Sequence, residues 1–205
     1  MEPKWLDWAR RLQAISQSGL TYALNEYDRE RYEAVREIAA EMMAEGGAVA
    51  IAPVREMFAG QAGYATPKVD VRGVVIRDGR VLLVQEREDG GWTLPGGWAD
   101  VGESPAGAVV RETREESGYE TRAAKLLAVY DRDLHGHPPI PFHAYKLFFR
   151  CELIGGLPAS SQETTAVDWF AEDALPPLST TRVTAAQIHR WFEHNCHPDW
   201  PTDFD

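Results

Sequence analysis

Cysteine is scarce in this chain: 205 residues include only Cys151 and Cys196. Two thiols cannot build the disulfide framework of a small secreted domain, and they suit a reducing compartment. No apolar run is long enough to span a bilayer, which argues against a membrane helix. The opening MEPKWLDWARR lacks the apolar core of a signal peptide. A cytoplasmic protein without a membrane partner is expected. Positive charge is also scarce, with 21 Lys and Arg against 32 Asp and Glu, a net charge of −11. That balance argues against DNA as a partner and disfavours tight RNA binding, although a short RNA end needs little surface. An anionic small molecule stays open, because bound cations reverse the field locally.

The length suits one ordinary domain preceded by a small one. Residues 1–62 read as helical. Trp5, Trp8, Leu12 and Ile15 recur at i, i+3, i+7 and i+10, an amphipathic stripe that Gly19 is expected to end. A second helix is expected from about Asp28 to Glu45, with Tyr32, Val35, Ile38, Ala39 and Met42 on one face and Gly46-Gly47 as its stop. A short third helix after Pro53 carries Val54, Met57 and Phe58, and Gly60–Pro67 reads as a linker. Acids outnumber bases in this segment, so it lacks the basic footprint of a DNA-binding module. About sixty residues bury only a marginal core, so the exposed side of these helices is expected to pack on something, such as a second copy in a homodimer.

From Val69 the period changes to that of strands. VDVRGVVI and VLLVQERE flank the hairpin signal Asp78-Gly79. Further strands are expected over Leu126–Tyr130, Phe142–Leu153 (ended by Gly155-Gly156) and Val167–Phe170. A closing helix over about Arg182–Asn195 is expected to bury Ile188, Trp191 and Phe192. Strands mixed with helices on both sides indicate an α/β domain over residues 63–205.

Inside this domain Gly97–Tyr119 reads GWADVGESPAGAVVRETREESGY. Ser104 suits an N-cap and Pro105 the first helical position, while Gly107 stands where a capping box would place Glu. At ~100° per residue, Glu115 and Glu116 lie roughly 60° and 40° around the helix from Glu112. Three carboxylates on one face repel each other unless a cation sits among them. A hard divalent ion with oxygen ligands meets that need. A solvated acidic face would explain neither the flanking glycines nor the loop acid Glu103.

Gly97, five residues, Glu103, seven residues, Arg111-Glu112, then Glu115-Glu116 and Gly118 resembles the signature of the Nudix hydrolases. Every fixed position is present; Thr113 and Tyr119 replace the usual aliphatics. Thr113 is expected to face the core and bond back one turn. The resemblance implies an α/β/α sandwich over about Val69–Asn195 and hydrolysis of a nucleoside diphosphate linked to another group. The N-terminal helices, HGHPPIPFHAYKLFF and the PTDFD ending resemble more narrowly a bacterial subgroup related to CDP-choline and ADP-ribose pyrophosphatases. An RNA end-processing enzyme and a non-catalytic ADP-ribose sensor are the alternatives, and the complete acid set speaks against the sensor.

By this resemblance Mg²⁺, with Mn²⁺ as the substitute, is held by Glu112, Glu115, Glu116 and a backbone carbonyl of the Gly96-Gly97 turn, with Gly97 the site position. Glu103 supports the loop, and Arg111 orients Glu115 from one turn away. The general base is Glu115, Glu116 or, from a later loop, Glu163. Substrate contacts are sought in the loop Asp131–His143, through His135, His137 and His143; its prolines can equally serve to stiffen a turn. Arg72 either reaches a phosphate or pairs with an acid. His189, His194, Cys196 and His197 match no closed zinc spacing.

Overall fold

The computed structural model describes residues 3–205. Contacts divide the chain into two compact units. One takes the chain up to Pro67 together with Pro139–His143; the other takes Lys68–Pro138 and Ala144–Asp205.

The first unit holds α1 (Lys4–Tyr22), α2 (Glu26–Gly47) and α3 (Ile51–Ala59). Asn25 caps α2 by accepting from the Asp28 N–H. Leu6 and Ala9 of α1 pack on Ala39, Ala40, Met43 and Ala44 of α2, with Val54 and Phe58 of α3 closing the core. Two sequence expectations are corrected here. Gly19 does not stop α1: a Cβ there would lie 2.3 Å from the Tyr32 ring, so this glycine is a helix contact. Of the expected stripes, Trp5, Leu12, Ala39 and Met42 join or pack on this core, whereas Trp8 (50% exposed), Ile15 (57%) and Ile38 (50%) face outward. Small residues fill the seam instead. Alanines let the two helices approach closely, whereas sequence periodicity gives most weight to large side chains. α3 also begins two residues before Pro53, because a proline in the first turn removes no helical hydrogen bond.

The second unit contains two four-stranded sheets. β1 (Lys68–Val74), β5 (Tyr119–Asp131), β6 (Ala144–Gly156) and β8 (Asp203–Phe204) run in the order β1-β6-β5-β8. β1 is parallel to β6, β6 antiparallel to β5, and β5 parallel to β8. In the other sheet β3 (Arg80–Glu86) pairs antiparallel with β2 (Ile76–Arg77), β4 (Trp92–Thr93) and β7 (Thr164–Ala171). Asp78 and Gly79 both have positive φ, as the two-residue hairpin between β2 and β3 demands. β5 starts seven residues earlier than expected, and β6 runs through Gly155 and Gly156. Both strands are long because each pairs with the other along nearly its whole length, through three bulges.

Alternation along the strands makes two cores. Val71, Val75, Leu82 and Phe149 pack with Ala108 and Val109 of α4 (Pro105–Ser117). Val74, Val81, Leu83 and Phe148 pack with Ile188, Trp191 and Phe192 of α5 (Ala185–Cys196). Period two thus sends one set of side chains to each helix, giving an α/β fold with helices on both faces. α5 starts three residues later than expected, where Thr184 and Gln187 form a full capping box. β8 was not legible from sequence: two residues carry no periodicity, and pairing with β5 alone defines it.

Candidate active site

The turn before α4 runs along β1. The Val71 N–H donates to Gly97 O (2.8 Å), the Gly73 N–H to Pro95 O (2.8 Å), and the Ala99 N–H to Val69 O (2.9 Å). Gly96 has φ +141°, and a Cβ there would lie 2.0 Å from Val71 O, so only glycine fits this close approach. Its N–H donates to Glu116 Oε2 at 2.8 Å. A Cβ on Gly97 would fall 3.1 Å from Glu112 Oε2, so the glycine leaves space beside that carboxylate.

α4 is built as its sequence reads. Ser104 caps it by accepting from the Gly107 N–H, and Gly118 ends it in the left-handed region. The Thr113 hydroxyl donates to Val109 O at 2.7 Å. It faces Gly73, where a Cβ would come within 2.5 Å of Thr113 Oγ1, so β1 and the helix meet through two small groups. Tyr119 is buried, and its hydroxyl accepts from Trp169 Nε1 at 3.2 Å.

Arg111 gathers the acids. Its Nε and Nη2 donate to the two oxygens of Glu103 (2.8 and 2.9 Å), and its Nη1 donates to Glu112 Oε1 and Glu115 Oε2 (both 2.9 Å). The bidentate pair with Glu103 fixes the guanidinium plane, and that plane aims Nη1. Glu115 is the most open of the three helix acids, its side chain 59% exposed. Glu112 and Glu116 are withdrawn. Burial raises the Glu112 pKa against the pull of Arg111. Burial pushes Glu116 up to about 8, against the opposing pull of Arg72 and the Gly96 N–H. Desolvation of this kind favours the protonated form of both carboxyls.

Arg72 takes the acid-pairing alternative. It lies buried, donating from Nε and Nη2 to both oxygens of Asp70 (2.9 and 2.8 Å) and from Nη1 to Leu94 O (3.2 Å). The exposed Glu163 sits just before β7. Its carbonyl accepts from the Arg87 N–H at 2.8 Å, and Thr164 Oγ1 donates to Glu116 O at 2.8 Å, so this loop is fastened to the end of α4. His135 stacks on Tyr130 with ring centroids 3.7 Å apart and sets Nε2 2.8 Å from Asp205 Oδ1. His137 is engaged within the fold. Nδ1 donates to Thr180 O (2.8 Å), Nε2 accepts from Gln187 Nε2 (3.0 Å), and burial pushes its pKa down to about 4. A neutral ring with both nitrogens engaged has no charge or donor to offer. His143 groups with the helical unit. His189 pairs with Glu172, His194 faces Asp203, and His197 stacks on Trp200.

Residues 66–192 match the NUDIX domain family, and residues 3–58 match the family described as the UDP-X-like N-terminal oligomerisation domain. The chain belongs to the Nudix hydrolase family. A Bacillus subtilis (strain 168) protein provisionally named ADP-ribose pyrophosphatase YjhB is 46% identical over 205 residues, covering 100% of this chain and 99% of that one. The crystal structure of a UDP-X diphosphatase superposes with a TM-score of 0.64 at 32% identity, covering 98% of each chain. An ADP-ribose pyrophosphatase from Streptococcus suis 89-1591 gives a TM-score of 0.64 at 38% identity, covering 68% of this chain and all of its own.

Four residues near this Nudix acid cluster escaped the sequence reading. Glu86, at the end of β3, is buried, its pKa raised by burial against the pull of Arg182 and Arg72. Arg182 lies 3.1 Å from it and also meets Glu88 and Asp89. Asp70 and Lys146 face each other across β1 and β6. The available signal was a charged side chain inside an apolar strand, as in VLLVQE and AYKLFF, which demands a buried partner.

Proposed function

We propose that this Nudix enzyme cleaves, with Mg²⁺ or Mn²⁺, the pyrophosphate of a nucleoside diphosphate joined to a second group, releasing a nucleoside monophosphate and a phosphorylated product. The observation that carries this reading is the pair of withdrawn carboxylates, Glu112 and Glu116, beside the Gly96-Gly97 turn. Their donor set suits a hard divalent ion, with Glu115 at the rim and the second lone pair of Gly97 O as further ligands. When bound, such an ion neutralises pyrophosphate charge and lowers the pKa of a water. Arg111 holds Glu112 and Glu115 in their rotamers, and Glu103 holds Arg111. We assign the general base to Glu163, because its loop is fastened to Glu116 and its carboxylate faces solvent, where water enters.

ADP-ribose is the first candidate substrate, since the full-length Bacillus relative and the Streptococcus neighbour carry that name. CDP-choline and UDP-linked groups complete the panel. Residues 1–62 serve association, and the exposed Trp8, Ile15 and Ile38 supply an apolar face for a homodimer. Residues 63–205 form the hydrolase. The two free cysteines fit a cytoplasmic setting.

The test is hydrolysis of this panel with each metal in ¹⁸O-water, which identifies the attacked phosphorus by the labelled product. Glu116→Gln is expected to lower turnover by more than the roughly 10- to 100-fold that loss of an outer-shell partner costs. A folded, fully active Glu116→Gln sinks the reading. Light scattering tests the association: Trp8→Ser is expected to shift the protein toward monomer, and a monomeric wild type removes the dimer.

A further inference from the structure

Behind the acid cluster lies a second group of charges that no step above uses. On β1, Asp70 and Arg72 point to the same face, and Lys146 stands opposite Asp70 in the parallel register with β6. Lys146 Nζ donates to Asp70 Oδ1 at 2.7 Å, the same oxygen that accepts Arg72 Nε. The three side chains are only 8% exposed or less. Two buried cations share one carboxylate, so the group carries one surplus positive charge. Arg132 and the neutral His137 are its neighbours on the side of the loop after β5 and remove none of that surplus, so the acids that face it through Arg72 are Glu116 and Glu86 on the side of the acid cluster. Burial pushes Lys146 down to about 8 even though Asp70 draws it up, the mark of a cation incompletely offset.

The surplus reaches the site by two routes. Mechanically, Arg72 Nη1 holds Leu94 O in the same turn whose Gly96 N–H binds Glu116. Electrostatically, Arg72 pulls on both Glu112 and Glu116. We propose that Lys146 is a positioning residue that, through Asp70 and Arg72, sets the charge behind the acid cluster, weakening metal binding and strengthening binding of anionic substrate. The proposal rests on the metal-dependent reading of Glu112 and Glu116.

A charge of one sign cannot help a cation and an anion at once, so its removal must move the two affinities in opposite directions. With an effective dielectric near 20, a unit charge about 10 Å away is worth roughly tenfold or more in affinity per unit of ligand charge. Lys146→Met leaves Asp70 bidentate with Arg72 and so retains the strand pairing. At pH 7 it is expected to bind Mn²⁺ alone at least about tenfold more tightly, while KM for ADP-ribose, or for whichever panel member is hydrolysed, rises by about tenfold or more. Lys146→Arg is expected to restore both values. A merely structural role lowers both affinities together, or neither, and either result in folded Lys146→Met overturns the proposal. Mn²⁺ binding is read without substrate, which separates the two ideas. If wild type binds no Mn²⁺, the metal-site reading fails; if it binds Mn²⁺ indifferent to Lys146, only this inference fails.

Discussion

Two arginines flank the acid cluster, and they solve opposite problems. Arg111 sits at the open edge, on the helix, with three carboxylates within 2.9 Å. Arg72 sits in the buried wall, on the strand, with one carboxylate that it shares with a lysine. At the edge, charge is cheap to solvate, so the value of Arg111 lies in orientation: a planar fork locks side chains that would otherwise wander. In the wall, desolvation dominates, so Arg72 is tolerated only because Asp70 meets it bidentately. The same residue type is therefore a rotamer clamp in one place and a fixed source of field in the other.

Breaking the wall is expected to produce the largest effect. Arg72→Met removes one partner from a buried group and should cost about 3 to 5 kcal/mol of stability by denaturant unfolding. A loss below about 1 kcal/mol would mean that Asp70 and Lys146 suffice alone.

Breaking the edge should leave the fold nearly intact and injure catalysis. Arg111→Lys keeps the charge and loses the fork, and kcat is expected to fall about 10- to 100-fold. Because the arginine is partly exposed, melting should shift by less than about 1 kcal/mol equivalent. Unchanged kcat would show that Glu112 and Glu115 need no clamp.

The third measurement reads the acids between the two arginines. Glu116 is raised from 4.5 to about 8 in the fold, so the folded protein holds its proton more tightly than the unfolded chain. Metal-free protein is therefore expected to lose stability as pH rises from about 4.5 through 8. Over the upper part of that window a metal must displace the proton, so Mn²⁺ affinity should rise about tenfold per pH unit from pH 6 to 8 and then level off. Affinity independent of pH would place the ligand carboxylates in water, contrary to their burial.

The helical unit shows where sequence periodicity misleads. On α1 the pattern of large residues pointed to Trp5, Trp8, Leu12 and Ile15, yet only Trp5 and Leu12 pack on the core, and the seam is closed by Leu6, Ala9 and the alanines of α2. Periodicity registers volume, while close helix contact selects its absence. The α4 region was legible because its constraints are local: a cap, a glycine stop and carboxylates one turn apart are set by helix geometry alone. Glu163 could be named as a loop acid, but its attachment through Arg87 and Thr164 could not.

By itself, then, the sequence determined the acid helix, the Gly-Gly turn and the family, because each depends on neighbours within about twenty residues. Only the tertiary structure decided that Arg72 belongs to Asp70, that Lys146 stands beside them, that Glu86 joins the acids and that His137 is spent on Thr180 and Gln187. Arg72 and Asp70 are two residues apart on one strand, but the pairings of Lys146 and His137 join residues 43 to 76 positions apart, and strand register is settled by packing against both helices at once.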